Sequence, residues 1–179
     1  KDGKNEHPKL AVKDSEFEES DPKEFVQWFK DNKDTEGQLL RIIRSLKGWC
    51  DHKRNKMPSG LSMTVLAEKN IVYERERDDL SLKKTLENIE LSLKRNWQCK
   101  MPTTPQDDLF KDYDEDRKRI FFDNIAEFIV DAKMAIRDET DRNKASRLWK
   151  KHLGKWFPLT KEEEEKDAKA ASLLQKATL

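Results

Sequence analysis

Three apolar stripes with the period of an α-helix constrain this chain more than any other feature. Leu39, Ile42, Ile43, Leu46 and Cys50 follow the i, i+3, i+4, i+7 spacing that gathers side chains on one helix face. Leu82, Leu86, Ile89, Leu93 and Trp97 repeat the pattern, as do Phe121, Ile125, Phe128, Ile129, Ala132 and Ile136. A half-buried strand would instead alternate residue by residue. Each stripe has to be covered by another element, so three of them in one chain predict an all-α helical bundle. Five glycines and six prolines in 179 residues are too few for a turn-rich β fold.

Punctuation residues divide the chain between these helices. Residues 1–20 hold one short apolar run, Leu10-Ala11-Val12, which reads as at most one N-terminal β-strand followed by a loop. Asp21-Pro22 starts a helix through Phe25, Trp28 and Phe29: Asp21 can cap it, and the missing N–H of Pro22 costs nothing there. The helix carrying Leu39 is expected to end near Asn55. Met57-Pro58-Ser59-Gly60 then breaks the chain, with Ser59 placed as the next N-cap. Met101-Pro102-Thr103-Thr104-Pro105 reads as a rigid extended loop, because two prolines fix φ and restrict their predecessors. A helix over Ala145 to Leu153 stops at Gly154, with Pro158 soon after. Glu162 to Glu165 suit the first turn of a last amphipathic helix carrying Ala170, Leu173, Leu174 and Ala177; a disordered tail is the alternative. The expected organisation is a strand and loop over 1–20, six to eight helices mostly within 21–160, and a tail or helix over 161–179.

Charged residues make up 41% of the chain, but the apolar residues are clustered and periodic, unlike those of a disordered chain. The net charge of +1 supplies no overall field toward nucleic acid or a membrane surface, so any anion site must come from local clustering. No apolar run approaches the roughly 20 residues of a membrane span, and no signal peptide is visible. A cytoplasmic protein with no membrane partner is expected. Cys50 and Cys99 lie in apolar-periodic segments and are too few for a disulfide framework or a zinc site, so they read as reduced core residues.

The local clustering lies between Arg41 and Lys56. Six Lys or Arg (Arg41, Arg44, Lys47, Lys53, Arg54, Lys56) stand there against one acid, Asp51. At about 100° per residue Lys47 falls at the edge of the apolar stripe and Arg44 farther round. A lysine at that edge can lay its stem on the core and present its ammonium at a groove. Ser59 would sit at the next helix N-terminus, where free N–H groups and the helix dipole favour an anion. Lysine plus helix N-terminus suits a polyphosphate. The same residues would also make a solvated basic face beside an ordinary capping serine.

Other candidates are weaker. His7, His52 and His152 show no metal-ligand spacing, and no metal-ligating residue is assigned. Asp112, Asp114, Glu115 and Asp116 lack the glycine spacing of a calcium loop and read as a helix N-terminus. The five tryptophans fall mainly at apolar positions and read as core. No nucleophile elbow, P-loop or dinucleotide loop occurs, and no catalytic residue is assigned.

The order of several short segments carries a resemblance. Ser20-Asp21-Pro22 with Trp28 comes first, then the basic helix ending Leu46-Lys47-Gly48-Trp49, then Pro58-Ser59-Gly60 opening the next helix. The Met101-Pro102 to Pro105 loop and a final Trp149, Gly154 and Phe157-Pro158 follow. Over roughly residues 10–160 this resembles the C-terminal helical half of the cGAS/DncV-like nucleotidyltransferases (CD-NTases), bacterial relatives of cyclic GMP-AMP synthase and oligoadenylate synthetase. Leu153 departs from the pattern, which has an aromatic residue before the glycine.

The resemblance implies a two-lobed nucleotidyltransferase that makes a cyclic oligonucleotide second messenger in anti-phage (CBASS) defence. Residues 1–20 would be a remnant of the catalytic sheet. Mg²⁺ would be held by carboxylates of an N-terminal lobe absent from this chain, leaving the chain alone inactive. Lys47 and Ser59 match family positions that hold the donor triphosphate, with Arg44 as a helper. Substrates would be nucleoside triphosphates (ATP, GTP or others). The product would act on a downstream effector, and the C-terminus could meet a CBASS accessory protein. A stand-alone helical module, whose basic helix binds an acidic partner or nucleic acid, is the alternative. A related linear nucleotide-adding enzyme is a third possibility.

Overall fold

The most buried helix of the bundle, α3 (Gly60–Asn70), is also the one whose sequence shows the weakest sidedness. Ser62, Met63, Thr64, Val65, Leu66 and Ala67 are all buried along it. A helix that is apolar or small all round belongs in the middle of a bundle. Its two small polar residues are satisfied locally: the Thr64 hydroxyl donates to the Gly60 carbonyl at 2.8 Å, and Ser62 is held by Ser59.

The structure, a computed structural model, describes residues 9–10, 18–19, 22–54, 56–138, 140–158 and 169. The other helices are α1 (Pro22–Asn32), α2 (Gln38–Lys53), α4 (Asp78–Arg95), α5 (Glu115–Lys133) and α6 (Arg142–Leu153). A π-helical segment, Met134–Asp138, extends α5, and a 3₁₀ turn, Gly154–Trp156, follows α6. α2 packs on α3, α4 and α6, while α4 also meets α3 and α5. The expected all-α bundle is therefore the observed one. Among the described residues near the N-terminus, β1 (Lys9–Leu10) and β2 (Glu18–Glu19) pair antiparallel, Lys9 opposite Glu19 and Leu10 opposite Glu18. Ala11 and Val12 of the expected strand, Asp21 as a cap, Asn55, and the expected last helix other than residue 169 lie outside the described residues.

The three stripes form the core. Leu39, Ile42, Ile43, Leu46, Trp49 and Cys50 are buried along α2, Leu82, Leu86, Ile89 and Leu93 along α4, and Phe121, Ile125, Phe128, Ile129 and Ala132 along α5. Trp49 is fully buried between Phe121 and Phe128, at ring-centroid distances of 6.0 and 5.4 Å. Trp149 is buried as well, and Trp28 and Trp97 are half-buried against the core. Both cysteines are buried, and burial pushes each thiol up to about 12, so neither is reactive at neutral pH.

Two boundaries differ from expectation. α6 begins at Arg142, three residues before Ala145, because Asp141 caps it by accepting from the Asn143 amide at 2.8 Å. The proline loop is not extended. It folds back through a bridge between Lys100 and Asp108, since the Asp108 carboxylate accepts from the amides of both Cys99 and Phe110. Asp114 caps α5, with Glu115 and Asp116 in its first turn, as the acidic cluster implied.

Candidate functional site

α2 ends and α3 begins at the mouth of a groove of about 490 Å³ lined by Asp51, Arg54, Lys56, Met57, Ser59 and Gly60. The helix ends place the groups. Ser59 caps α3: its Oγ accepts from the Ser62 amide at 3.1 Å and lies 2.9 Å from the Ser62 hydroxyl. The amides of Gly60 and Leu61, in the first turn, have no carbonyl before them to bond within the helix and face the end of the helix dipole.

Lys47 reaches this point from α2. A Cβ at Gly60 would lie 3.3 Å from Lys47 Cε, 3.6 Å from Cδ and 3.7 Å from Cγ. The lysine stem thus runs across the one first-turn position without a side chain. Lys47 and Ser59, singled out from the sequence, are brought to the same helix start. Arg44 is exposed one turn back along α2, and neither it nor the half-buried Lys47 lines the groove itself. Among the described residues neither Lys47 nor Arg44 carries an ion pair.

The loop between the helices is unusual in its backbone. Arg54 (φ 50°, ψ −155°) and Lys56 (φ 66°) both lie at positive φ without being glycine. Such conformations cost on the order of 1–3 kcal/mol each and persist when the surroundings dictate them. The surroundings here are from α5. Arg117 donates from Nε to the Lys56 carbonyl at 3.1 Å and from Nη2 to the Met57 carbonyl at 2.8 Å. Its guanidinium lies 3.6 Å over the Tyr113 ring centroid, and the Tyr113 hydroxyl accepts from the Ser59 amide at 3.3 Å. Lys56 itself pairs with Asp116. Nothing local in the sequence flagged Arg117 or Tyr113, which stand more than fifty positions from the loop they hold.

The groove offers cations and backbone donors but not a metal site. Among the described residues no group of three or more His, Cys, Asp or Glu side chains is placed to hold a metal ion. The one carboxylate lining the groove, Asp51, has no second carboxylate beside it there. The residues present therefore do not fit Mg²⁺, and no step is assigned to it on this chain.

The fold is an all-α bundle with a groove where α2 ends and α3 begins. No family model matches the chain. Among solved structures the fold recurs in the Vibrio cholerae di-nucleotide cyclase DncV. One structure, in complex with ATP and GTP, matches with a TM-score of 0.69 and 16% identity over 82% of this chain and 39% of that one. Another, of the cyclic AMP-GMP synthase with the linear intermediate 5′ pppA(3′,5′)pG, matches with a TM-score of 0.66 and 16% identity over 84% and 40%. The chain thus spans about two fifths of the DncV chains whose fold it shares. Among the described residues no helix is long and apolar enough to cross a membrane.

Proposed function

We propose that this chain is the helical lobe of a cGAS/DncV-like nucleotidyltransferase that builds a cyclic oligonucleotide messenger from nucleoside triphosphates. One observation carries the reading: in a bundle with the DncV fold, Lys47 lies across Gly60 beside the capping Ser59. Lys47 and Ser59, 12 positions apart in sequence, meet at the start of α3, whose first residues line the groove.

The proposed roles are physical. Lys47 neutralises charge on the β and γ phosphates. Ser59 and the Gly60 and Leu61 amides supply hydrogen bonds and the positive helix end. Arg44, one turn away, adds longer-range attraction. Residues 1–20 would be a remnant of a catalytic lobe, whose carboxylates would hold Mg²⁺ and thereby help to activate the attacking hydroxyl. The lobe alone is then inactive. ATP or GTP are the substrates this reading favours, the product acts on a downstream effector in anti-phage (CBASS) defence, and residues 161–179 are where an accessory protein would attach. Such an enzyme works in the cytoplasm.

The test is product analysis of the protein encoded by the whole reading frame, with all four labelled ribonucleoside triphosphates and Mg²⁺ or Mn²⁺. A phosphatase-resistant product is expected. A reading frame without a carboxylate-bearing lobe upstream, together with no product, would overturn the proposal and favour a stand-alone interaction module.

A further inference from the structure

Two residues of the α5 region hold the groove without lining it. Arg117 donates to the carbonyls of Lys56 and Met57, and the Tyr113 hydroxyl accepts a hydrogen bond from the Ser59 amide. The two are linked to each other, guanidinium over ring at 3.6 Å. Asp114 completes the arrangement by capping α5 at the Arg117 amide, 2.6 Å away, so the clamp is built into the helix start. The first anchored residue, Lys56, lies at positive φ, as does Arg54 two positions before it, conformations an unrestrained loop of these residues would leave.

We propose that Arg117 and Tyr113 are positioning residues for the anion site: they fix the backbone from Lys56 to Ser59 so that the Ser59 hydroxyl and the first-turn amides of α3 converge with Lys47. The inference rests on the proposed triphosphate reading of the groove. Arg117 acts through two carbonyls, a fork that the single ammonium of lysine does not reproduce. Tyr113 acts through one hydrogen bond, and its ring supports Arg117.

The experiment is titration of the 179-residue chain with inorganic triphosphate, read from the amide resonances of Gly60 and Leu61. Tyr113→Phe keeps the ring and should weaken binding about fivefold, the equivalent of one ordinary hydrogen bond. Arg117→Lys should weaken it by about tenfold or more. The distinguishing readout is coupling. In a Ser59→Ala background, Tyr113→Phe should cost less than it does in the wild type, because the hydroxyl is gone and only the first-turn amides remain to be positioned. Unchanged melting temperature in Tyr113→Phe separates positioning from general loss of structure.

Wild-type binding with equal affinity in both variants, or fully additive losses in the Ser59→Ala background, would overturn the positioning role alone. No saturable binding by the wild type would overturn the triphosphate reading and the positioning role with it.

Discussion

The imidazole of His152 meets the carboxylate of Asp131 at 2.7 Å, Nε2 to Oδ2, with the His152 side chain wholly out of solvent. Its ring stacks on Phe128 at 4.3 Å, and Nδ1 is buried with no hydrogen-bond partner. Lys151 bonds the same Asp131 oxygen at 2.7 Å and Glu127 at 3.0 Å, and Lys53 reaches Glu127 from α2 at 2.9 Å. α2, α5 and α6 are tied together here.

This network predicts a two-stage acid response. Burial holds His152 below its ordinary 6.5; the Asp131 hydrogen bond opposes the shift and the Lys53 charge adds to it. Below 6.5 the unfolded chain takes up a proton that the folded chain resists, so stability falls with pH there. Hydrogen bonds from Lys53 and Lys151 hold Glu127 at about 2 against an ordinary 4.5. Its contribution is complete above 4.5 and is lost as pH falls toward 2. Melting temperature against pH should show both windows, and His152→Gln should flatten only the upper one. An unchanged slope between about pH 7 and 5.5 in that variant would refute the assignment.

Gly154 is required twice over. Its φ is +70°, and a Cβ there would meet His52 Nδ1 at 2.6 Å. Gly154→Ala should destabilise by about 2–3 kcal/mol, from strain plus collision. Adding His52→Ala should recover the collision part and leave the strain, which denaturant unfolding of the double variant would resolve.

Trp49→Ala should cost about 3–5 kcal/mol, since the ring is fully enclosed and truncation leaves a cavity. Urea unfolding measures it directly. A loss below about 1 kcal/mol would mean that the site collapses around the deletion.

Lys47→Ala and Gly60→Ala test the candidate site from opposite sides. Lys47→Ala should weaken triphosphate binding about tenfold or more while leaving the melting temperature unchanged. Gly60→Ala gives α3 a better helix former, so stability should hold or rise. Its methyl takes the space of the Lys47 stem, 3.3 Å away at Cε, so affinity should nevertheless fall. A gain in stability together with intact affinity would show that the lysine tolerates displacement.

Which features could be read from the sequence follows from their range. The core faces of α2, α4 and α5 were legible because helical periodicity is local, and capping by Ser59 and Asp114 was legible for the same reason. The burial of α3 was not, since Gly60 to Asn70 has little sidedness and its covering by α2 and α4 is a matter of tertiary packing. The folded-back loop was misread because its path depends on the Asp108 carboxylate bonding the Cys99 and Phe110 amides, which the prolines do not reveal. Within the candidate site, Lys47 and Ser59 were nominated by local pattern plus family resemblance. Arg117 and Tyr113 were invisible, because their work is done on backbone atoms across the fold, and such contacts leave no trace in spacing.

A free lysine side chain samples many rotamers, and arresting it costs up to about 2 kcal/mol of conformational entropy. By resting on Gly60, Lys47 gives up much of that freedom when the bundle folds rather than when a ligand arrives. If the proposed triphosphate binds at this helix start, it meets a lysine stem already partly ordered, so more of the attraction between them remains as affinity.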